Sequence, residues 1–306
     1  MSGGKDVKRG RWQILLAAAL FLLALGLTLY PVVSNWYIGR HQSQIQTEYR
    51  EVLEQTDSAE IESIRKRAVA YNKTITPGAA EEAYSQASIR LALEDYVNQL
   101  NVSGSGIMGY VEIPKIGADL PIYHGTGADS LDRGTGHLLG SSLPVGGEST
   151  HTIITGHSGM ASQKMFTDLE QLREGDIFYL HVLDETLAYE VRTIHTVLPH
   201  DTTYLGIEPG EDLCTLVTCT PTGVNTHRLL VHGSRIPYVP TEETEASAVP
   251  HEENTDSNWE KQYWLGVRLG LAAMVFLTLV AGAVLYIRRN RGRACLLYTS
   301  PSPRDS

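Results

Sequence analysis

The sequence predicts a mainly β domain, a barrel or a sandwich, preceded by amphipathic helices and flanked by two apolar segments. From residue 106 onward, short apolar runs are separated by Gly, Pro, Asp and Ser, which is typical of strands joined by tight turns. Residues 42–100 instead place apolar side chains at helical spacing. Because no long helical pattern alternates with the strand-like runs, a parallel α/β sheet is not predicted.

Six runs within residues 104–238 have the composition of β-strands. Their close spacing favours one all-β barrel or sandwich domain over these residues. The predicted strands cover residues 109–113, 150–155, 176–183, 187–198, 213–218 and 227–233.

The segment before this domain, residues 34–103, is predicted to hold two amphipathic helices. Pro and Gly in the stretch TPGAA, residues 76–80, are expected to break the helical pattern. Two interpretations of the segment stay open, a helical spacer and a gating element for the following domain.

Two apolar runs, residues 12–33 and 264–287, are long enough to cross a hydrocarbon layer of roughly 30 Å as helices. A basic segment, residues 1–11, precedes the first run, and a basic tail, residues 288–294, follows the second. The positive-inside rule then places both termini in the cytoplasm and the middle of the chain outside the membrane. A cleaved signal peptide is the alternative for the first run, and a buried core helix is the alternative for the second.

Two further segments stand apart from the predicted domain. Residues 239–263 are rich in acidic side chains and are predicted to form a solvated linker. Residues 295–306, CLLYTSPSPRDS, resemble the translation of a sequencing adapter, so we expect them to be an artefact and exclude them from the functional argument.

Charge and cysteine content exclude several classes of function. The chain has 306 residues and a formal net charge of −10, and its extracytoplasmic part has no basic stripe with interleaved aromatic residues, so no nucleic-acid partner is predicted. Outside the adapter-like tail the only cysteines are Cys214 and Cys219. Side chains five positions apart on a strand point to opposite faces, which argues against a disulfide. No CxxC pair exists, and we predict neither a metal nor a cofactor.

Cys219 is the predicted nucleophile, because it ends an apolar run where a turn begins. Arg228 follows after an eight-residue connection, which is short enough to place the two residues side by side on a hairpin. A guanidinium stays charged and can bind a peptide carbonyl or an oxyanion, but it is a poor proton acceptor. Cys214, on the opposite face of the strand, is predicted to be a core residue.

A histidine is the most suitable residue for the proton transfers that a thiol nucleophile needs. Of eleven histidines, His157 ends a β-rich run at a Gly-flanked turn. His151 and His124 are expected to line the substrate groove or to support the catalytic residues.

The stretch TLVTC followed by NTHRLLVHG resembles the signature of sortases, the cysteine transpeptidases of Gram-positive cell surfaces. The segments GIMGYVEIPKIGADLPIYHGT, THTIITGHSGM and KMFTDLEQLREGD extend the resemblance to class C, pilin-polymerising sortases. It covers Gly106 to Tyr238. The resemblance implies an eight-stranded β-barrel, with Cys219 as nucleophile, His157 as catalytic histidine and Arg228 as catalytic arginine.

The resemblance also implies a reaction. Cys219 would attack the Thr–Gly bond of an LPxTG-like sorting signal on a pilin or surface protein and hold the threonine as a thioester. His157 would protonate the leaving amine, and a pilin lysine amine would then accept the acyl group. Thr218 and Asn225, which neighbour the cysteine and the arginine, are expected to belong to the groove or to support it.

One feature departs from the family pattern. Class C members commonly carry an Asp-Pro-aromatic lid before the barrel, and the corresponding stretch AYNKTITPGAAEEAYSQAS contains no Asp-Pro. A lid anchored at Tyr84 or near Pro77 stays open as an alternative. Two other functions also stay open: a sortase that anchors surface proteins to a cell-wall peptide amine, and a catalytically silent scaffold with the same fold.

Overall fold

The computed structural model describes residues 3–75, 93–160, 163–240, 264–276, 278–279 and 282–283. The chain divides into two units, Met1–Ser257 and Asn258–Ser306. Residues 264–276 of the second unit are helical.

Eight strands form a closed barrel in the order β1-β2-β3-β4-β7-β8-β6-β5, and antiparallel pairing of β5 with β1 closes it. Two pairs, β2 with β3 and β4 with β7, are parallel, and the other pairs are antiparallel. The strands are β1 (Ile107–Ile113), β2 (Ala118–His124), β3 (Thr135–His137), β4 (Thr150–Thr155), β5 (Ile177–Val182), β6 (Glu185–Val197), β7 (Asp212–Thr220) and β8 (His227–Ile236).

The predicted eight-stranded barrel is confirmed, and all six runs identified from composition are strands. Composition missed β2 and β3. A proline at position 121 argues against a strand in β2, because proline cannot donate to a ladder. The strand β3 has only three residues and takes its place through pairing with β2 and β4.

The barrel has an apolar interior and a second, smaller apolar cluster on its outer surface. On β7, Cys214 and Leu216 belong to the interior core, whereas Val217 belongs to the outer cluster. The outer cluster also contains Leu205, from the connection between β6 and β7. Its members are Leu138, Ile153, Val197, Leu205, Val217 and Leu230. The β6–β7 connection therefore packs on the outside of the barrel.

Within residues 3–75 and 93–106, the described part of the chain before the barrel, three helices are present: α1 (Gly3–Gln55), α2 (Ser58–Asn72) and α3 (Leu93–Val97). The Asp57 side chain accepts a hydrogen bond from the Ala59 backbone at 3.0 Å and caps α2. Helix α2 buries Ile61, Ile64 and Ala68, three residues on one helical face, in the barrel core cluster. Burial of each isoleucine contributes roughly 1.5–3 kcal/mol.

The described helices contain a break that was not predicted from the sequence. Between α1 and α2 the helix is interrupted at residues 56–57, where Asp57 caps the second helix, and α2 ends at Asn72. The expected break at residues 76–80 lies outside the described residues, as do Pro77 and Tyr84. A short helix, α4 (Ala128–Leu131), connects β2 to β3.

The predicted membrane spans gain no support from the structure. Residues 12–33 lie within α1, but no helix among the described residues is both long and apolar enough to cross a membrane. Most of the acidic linker, and all of residues 288–294 and 295–306, lie outside the described parts of the chain.

Candidate active site

The parallel pairing of β4 with β7 brings the residues after β4 to the end of β7 that carries Cys219. The register pairs Thr155 with Val217, and the Gly156 amide donates to the Val217 carbonyl at 3.0 Å. Parallel strands end at the same edge of a sheet, so the loop after β4 and the last residues of β7 meet there.

Cys219 lies on the outer face of β7, one residue before the strand ends. It is a free thiol of intermediate exposure, whereas Cys214 is fully buried and belongs to the interior core. The prediction that Cys214 is a core residue is confirmed. Burial raises the pKa of the Cys214 thiol well above its ordinary value, with a further contribution from the charge of Asp212. Of the two, only Cys219 has access to a substrate.

Arg228 lies directly opposite Cys219 in the antiparallel pair of β7 with β8. Directly opposed residues project from the same face, with Cβ atoms about 4.5–5.5 Å apart. The guanidinium donates hydrogen bonds to the carbonyls of His227 at 3.0 Å and Asn225 at 3.3 Å. It forms no ion pair within the described part of the chain, so its charge is available to a substrate oxygen beside the thiol.

His157 follows β4 by two residues, and a hydrogen bond from the Ser158 side chain joins its loop to Cys219. Ser158 Oγ donates to the Cys219 carbonyl at 2.6 Å, and the Phe166 amide donates to the His157 carbonyl at 2.9 Å. The imidazole is about one third exposed, and its Nε2 lies 3.9 Å from Asp132 Oδ1. The histidine is thus held at the same end of the barrel as the thiol.

Thr218 and Asn225 form hydrogen bonds that hold the backbone next to His157 and the side chain of Arg228. Thr218 is buried, and its Oγ1 donates to the Gly156 carbonyl at 2.8 Å, directly before His157. Asn225 has a positive φ of 61° and receives a guanidinium hydrogen bond on its carbonyl. An asparagine adopts this left-handed conformation more readily than most residues, which explains its place in the β7–β8 turn.

His124 and His151 are not brought beside Cys219 by comparable contacts. Both ring nitrogens of His124 face backbone carbonyls, Gly106 at 2.9 Å and Gln99 at 2.7 Å. His151 pairs with Leu213, six residues before Cys219 on β7, which corresponds to about 20 Å along a strand. His151 is buried, and burial lowers its pKa.

Two contacts of the site were not identified from the sequence. Asp132 lies 25 positions before His157 in a connection with no recognisable pattern, and only the fold brings its carboxylate to the imidazole. Ser158 follows His157 directly, but nothing in the sequence indicates that its hydroxyl binds the Cys219 carbonyl. In the described ranges, no group of three or more His, Cys, Asp or Glu side chains is arranged to hold a metal ion.

Comparison with known protein families finds a match over most of the barrel. The sortase domain family matches residues 111–236. Sortase A of Streptococcus agalactiae serotype III (strain NEM316) is 26% identical over 227 residues, which cover 72% of this chain and 83% of that protein.

Solved structures extend the similarity at higher identity. Streptococcus pneumoniae sortase C is 46% identical to this chain, with a TM-score of 0.58. The match covers 65% of this chain and all of that one. The structure of that protein is said to give insights into catalysis and pilin substrate specificity. Sortase C-1 of Actinomyces oris is 43% identical with a TM-score of 0.55, and the match covers 59% of this chain and 99% of that one.

Proposed function

Because the chain belongs to the sortase family, whose members are cysteine transpeptidases, we propose that it joins LPxTG-bearing pilin proteins to the lysine amine of a further pilin subunit. The observation that carries this proposal is the direct pairing of Cys219 with Arg228 on the outer face, next to the loop of His157. The pilin substrate is supported by the similarity to a sortase C described for its pilin specificity.

In the first half-reaction, the Cys219 thiolate attacks the threonine carbonyl carbon of the sorting signal. A C–S bond forms, the Thr–Gly C–N bond breaks, and the leaving amine takes a proton from the His157 imidazolium. Arg228 donates to the oxyanion or to the carbonyl that precedes it. The products are a thioester on Cys219 and a released peptide whose N-terminal residue is glycine.

The second half-reaction reverses these roles. The acceptor amine attacks the thioester carbonyl and gives a proton to His157, while the C–S bond breaks and returns the thiolate. The new bond is an isopeptide when the acceptor is a lysine. The partly exposed thiol and the imidazole, which is about one third exposed, are accessible to both peptides without unfolding of the barrel.

The location of the enzyme is part of the same proposal. Sortase relatives come from Gram-positive bacteria, and basic residues flank the outer ends of both apolar runs. We therefore place the barrel at the cell surface, with both termini in the cytoplasm and the chain anchored in the plasma membrane. Protease treatment of intact cells would then degrade the barrel, and survival of the barrel would contradict this placement.

Peptide cleavage tests the proposal. We expect the purified full-length protein to cleave a fluorogenic LPxTG-type peptide, Cys219→Ala to reduce turnover to background, and Arg228→Ala to lower kcat/KM by about 100-fold or more. Cys214→Ala is the matched control, because it removes the buried thiol of the same strand and should leave turnover within about twofold. Equal turnover in Cys219→Ala and wild type would overturn the assignment, and no cleavage by any of the proteins would support the silent scaffold.

The acceptor separates pilin polymerisation from wall anchoring. We expect faster transfer of the acyl group to a peptide with a lysine side-chain amine than to one with only an α-amine of the kind found on a cell-wall cross-bridge. Preference for the α-amine acceptor would favour the wall-anchoring alternative.

A further inference from the structure

The outer face of β4, β6, β7 and β8 carries a ladder of side chains that begins at Cys219 and ends at a buried polar cluster. On β7 and β8, the opposed pairs are Cys219 with Arg228, then Val217 with Leu230, then Thr215 with His232. Two residues advance about 6.6 Å along a strand, so Thr215 lies about 13 Å from Cys219 on the same face.

A chain of hydrogen bonds joins His151, Thr215 and His232, and we call it the histidine chain. Thr215 Oγ1 lies 2.6 Å from His151 Nε2 and 2.7 Å from His232 Nδ1. His151 Nδ1 lies 2.7 Å from the carbonyl of Gly206, in the connection between β6 and β7. Three strands are thereby linked to this connection.

The direction of the chain follows from the groups involved. A carbonyl only accepts, so His151 Nδ1 donates to Gly206 and, in a neutral ring, leaves Nε2 to accept the Thr215 hydroxyl proton. The Thr215 oxygen then accepts from His232 Nδ1. Burial lowers the pKa of His151, and it lowers the pKa of His232 to about 3, so both rings are neutral at neutral pH.

Two more contacts fix the same connection. The ring of Tyr204 stacks on His195 of β6 at a centroid distance of 4.0 Å, and His195 lies 5.4 Å from His232. Leu205 is buried in the outer cluster with Val217, the residue two positions before Cys219. Tyr204, Leu205 and Gly206 are thus three consecutive anchors, by stacking, apolar packing and hydrogen bonding.

We propose that the histidine chain is a positioning element, which holds the β6–β7 connection, residues 198–211, against the outer face so that it forms a wall of the peptide groove beside Cys219. The apolar strip of Val217 and Leu230 lies between the histidine chain and the Cys219 thiol, and Leu205 covers that strip. A displaced connection would expose the strip and widen the groove, while the thiol and guanidinium stay in register on β7 and β8. The histidine chain therefore affects peptide binding more than it affects the chemical step.

Hydrogen exchange in the full-length protein tests the position of the connection without any need for activity. Thr215→Val has nearly the same shape but can neither donate nor accept, and we expect it to raise amide exchange in residues 204–206 by about five- to tenfold. Thr215→Ser retains the hydroxyl and should restore wild-type exchange. Thr135→Val is the matched control, since Thr135 is equally buried and binds the Pro121 carbonyl at 2.9 Å on another strand.

Tyr204→Ala is a second variant that loosens the same connection and provides a comparison if Thr215→Val does not fold. Tyr204 is 41% exposed, so its truncation should leave the barrel intact and still raise exchange in the same residues. Unchanged exchange in Thr215→Val would overturn the proposal, as would an equal rise in Thr135→Val.

The kinetic test rests on the proposed transpeptidase function. For an LPxTG-type peptide, we expect Thr215→Val to raise KM by about three- to tenfold with kcat within twofold, because uniform binding is lost and the reacting groups are unchanged. A fall in kcat with unchanged KM would contradict the positioning role. If the wild type cleaves no such peptide, the proposed function fails, while the exchange measurement still decides whether the chain holds the connection.

Discussion

Cys214 and Cys219 show how two residues of one type on one strand acquire different chemistry. The five-residue separation turns the first thiol into the apolar interior, where burial raises its pKa, and the second onto the outer face opposite Arg228. Strand alternation and a short connection between strands were sufficient to predict this arrangement from the sequence. It follows that local rules identify a pair of residues when one hairpin carries both.

The position of Asp132 shows where such local rules end. Its carboxylate meets His157 only because β3 and β4 are neighbours and the loops at their ends converge. His157 itself was distinguished from ten other histidines by a Gly-flanked turn and by the family resemblance. Long-range proximity of this kind depends on the whole barrel, and no spacing in the sequence encodes it.

Asp132 is expected to contribute little to catalysis. Its side chain is 64% exposed and 3.9 Å from the imidazole, and exposed ion pairs are worth about 0–1 kcal/mol. Asp132→Asn should therefore lower kcat/KM for the peptide by less than about fivefold, whereas His157→Ala should lower it by at least about 100-fold. A loss in Asp132→Asn as large as that in His157→Ala would show that the carboxylate is needed for the reaction.

At the scale of elements, composition identified six strands and missed the proline-containing β2 and the three-residue β3. The strand β6 is long and partly buried, and β4 is a short run rich in β-branched residues that is buried over almost its whole length. By contrast, β2 contains Pro121 and β3 has three residues. Both are stabilised by pairing with a strand on each side, β2 with β1 and β3, and β3 with β2 and β4. Tertiary context overrides local propensity at these positions.

The end of helix α2 offers a test of how the helices are attached to the barrel. Asn72 forms two hydrogen bonds with Leu143, donating to its carbonyl at 3.2 Å and accepting from its amide at 2.7 Å. Leu143 is fully buried. Asn72→Ala leaves the Leu143 amide without a partner, whereas the Leu143 carbonyl still accepts from the Val145 amide at 2.7 Å and from Thr152 Oγ1 at 3.3 Å. We expect a loss of about 1–3 kcal/mol in the free energy of unfolding.

Urea denaturation of the full-length protein measures this loss. Thr74→Ala is the control, because Thr74 also binds a backbone carbonyl, that of Tyr71, but in an exposed position. Its effect should stay within about 0.5 kcal/mol. Equal midpoints for Asn72→Ala and wild type would show that α2 is not held by this contact.

At the scale of the whole molecule, buried histidines make stability depend on pH. Burial lowers the pKa of His137 to about 4 and that of His232 to about 3, from an ordinary value of 6.5. The unfolded chain therefore binds protons first as the pH falls, and stability decreases from pH 6.5 downward until each folded-state pKa is reached. Above pH 6.5 these histidines are neutral in both states and stability is at its plateau.

Asp119 acts in the opposite direction. Burial, followed by the charge of Glu112, raises its pKa from 3.8 to about 6, so its contribution is largest below pH 3.8 and is lost as the pH rises through 6. The pKa shifts of His137 and His232 together exceed the opposing pKa shift of Asp119. We therefore expect Tm to be constant from pH 8 to 7 and to fall from pH 6.5 to 5. Asp119→Asn should make that fall steeper, and a Tm that is flat or rises on acidification would contradict the account.

The thioester on Cys219 is the central claim, and intact-mass spectrometry tests it most directly. The full-length protein is mixed with an LPxTG-type peptide in the absence of an acceptor amine, and the adduct is located by fragmentation. We expect a mass increase equal to the peptide acyl group that ends at threonine, located on Cys219, present in Cys214→Ala and absent in Cys219→Ala. An adduct that persists in Cys219→Ala, or no adduct on a protein that cleaves the peptide, would contradict the account.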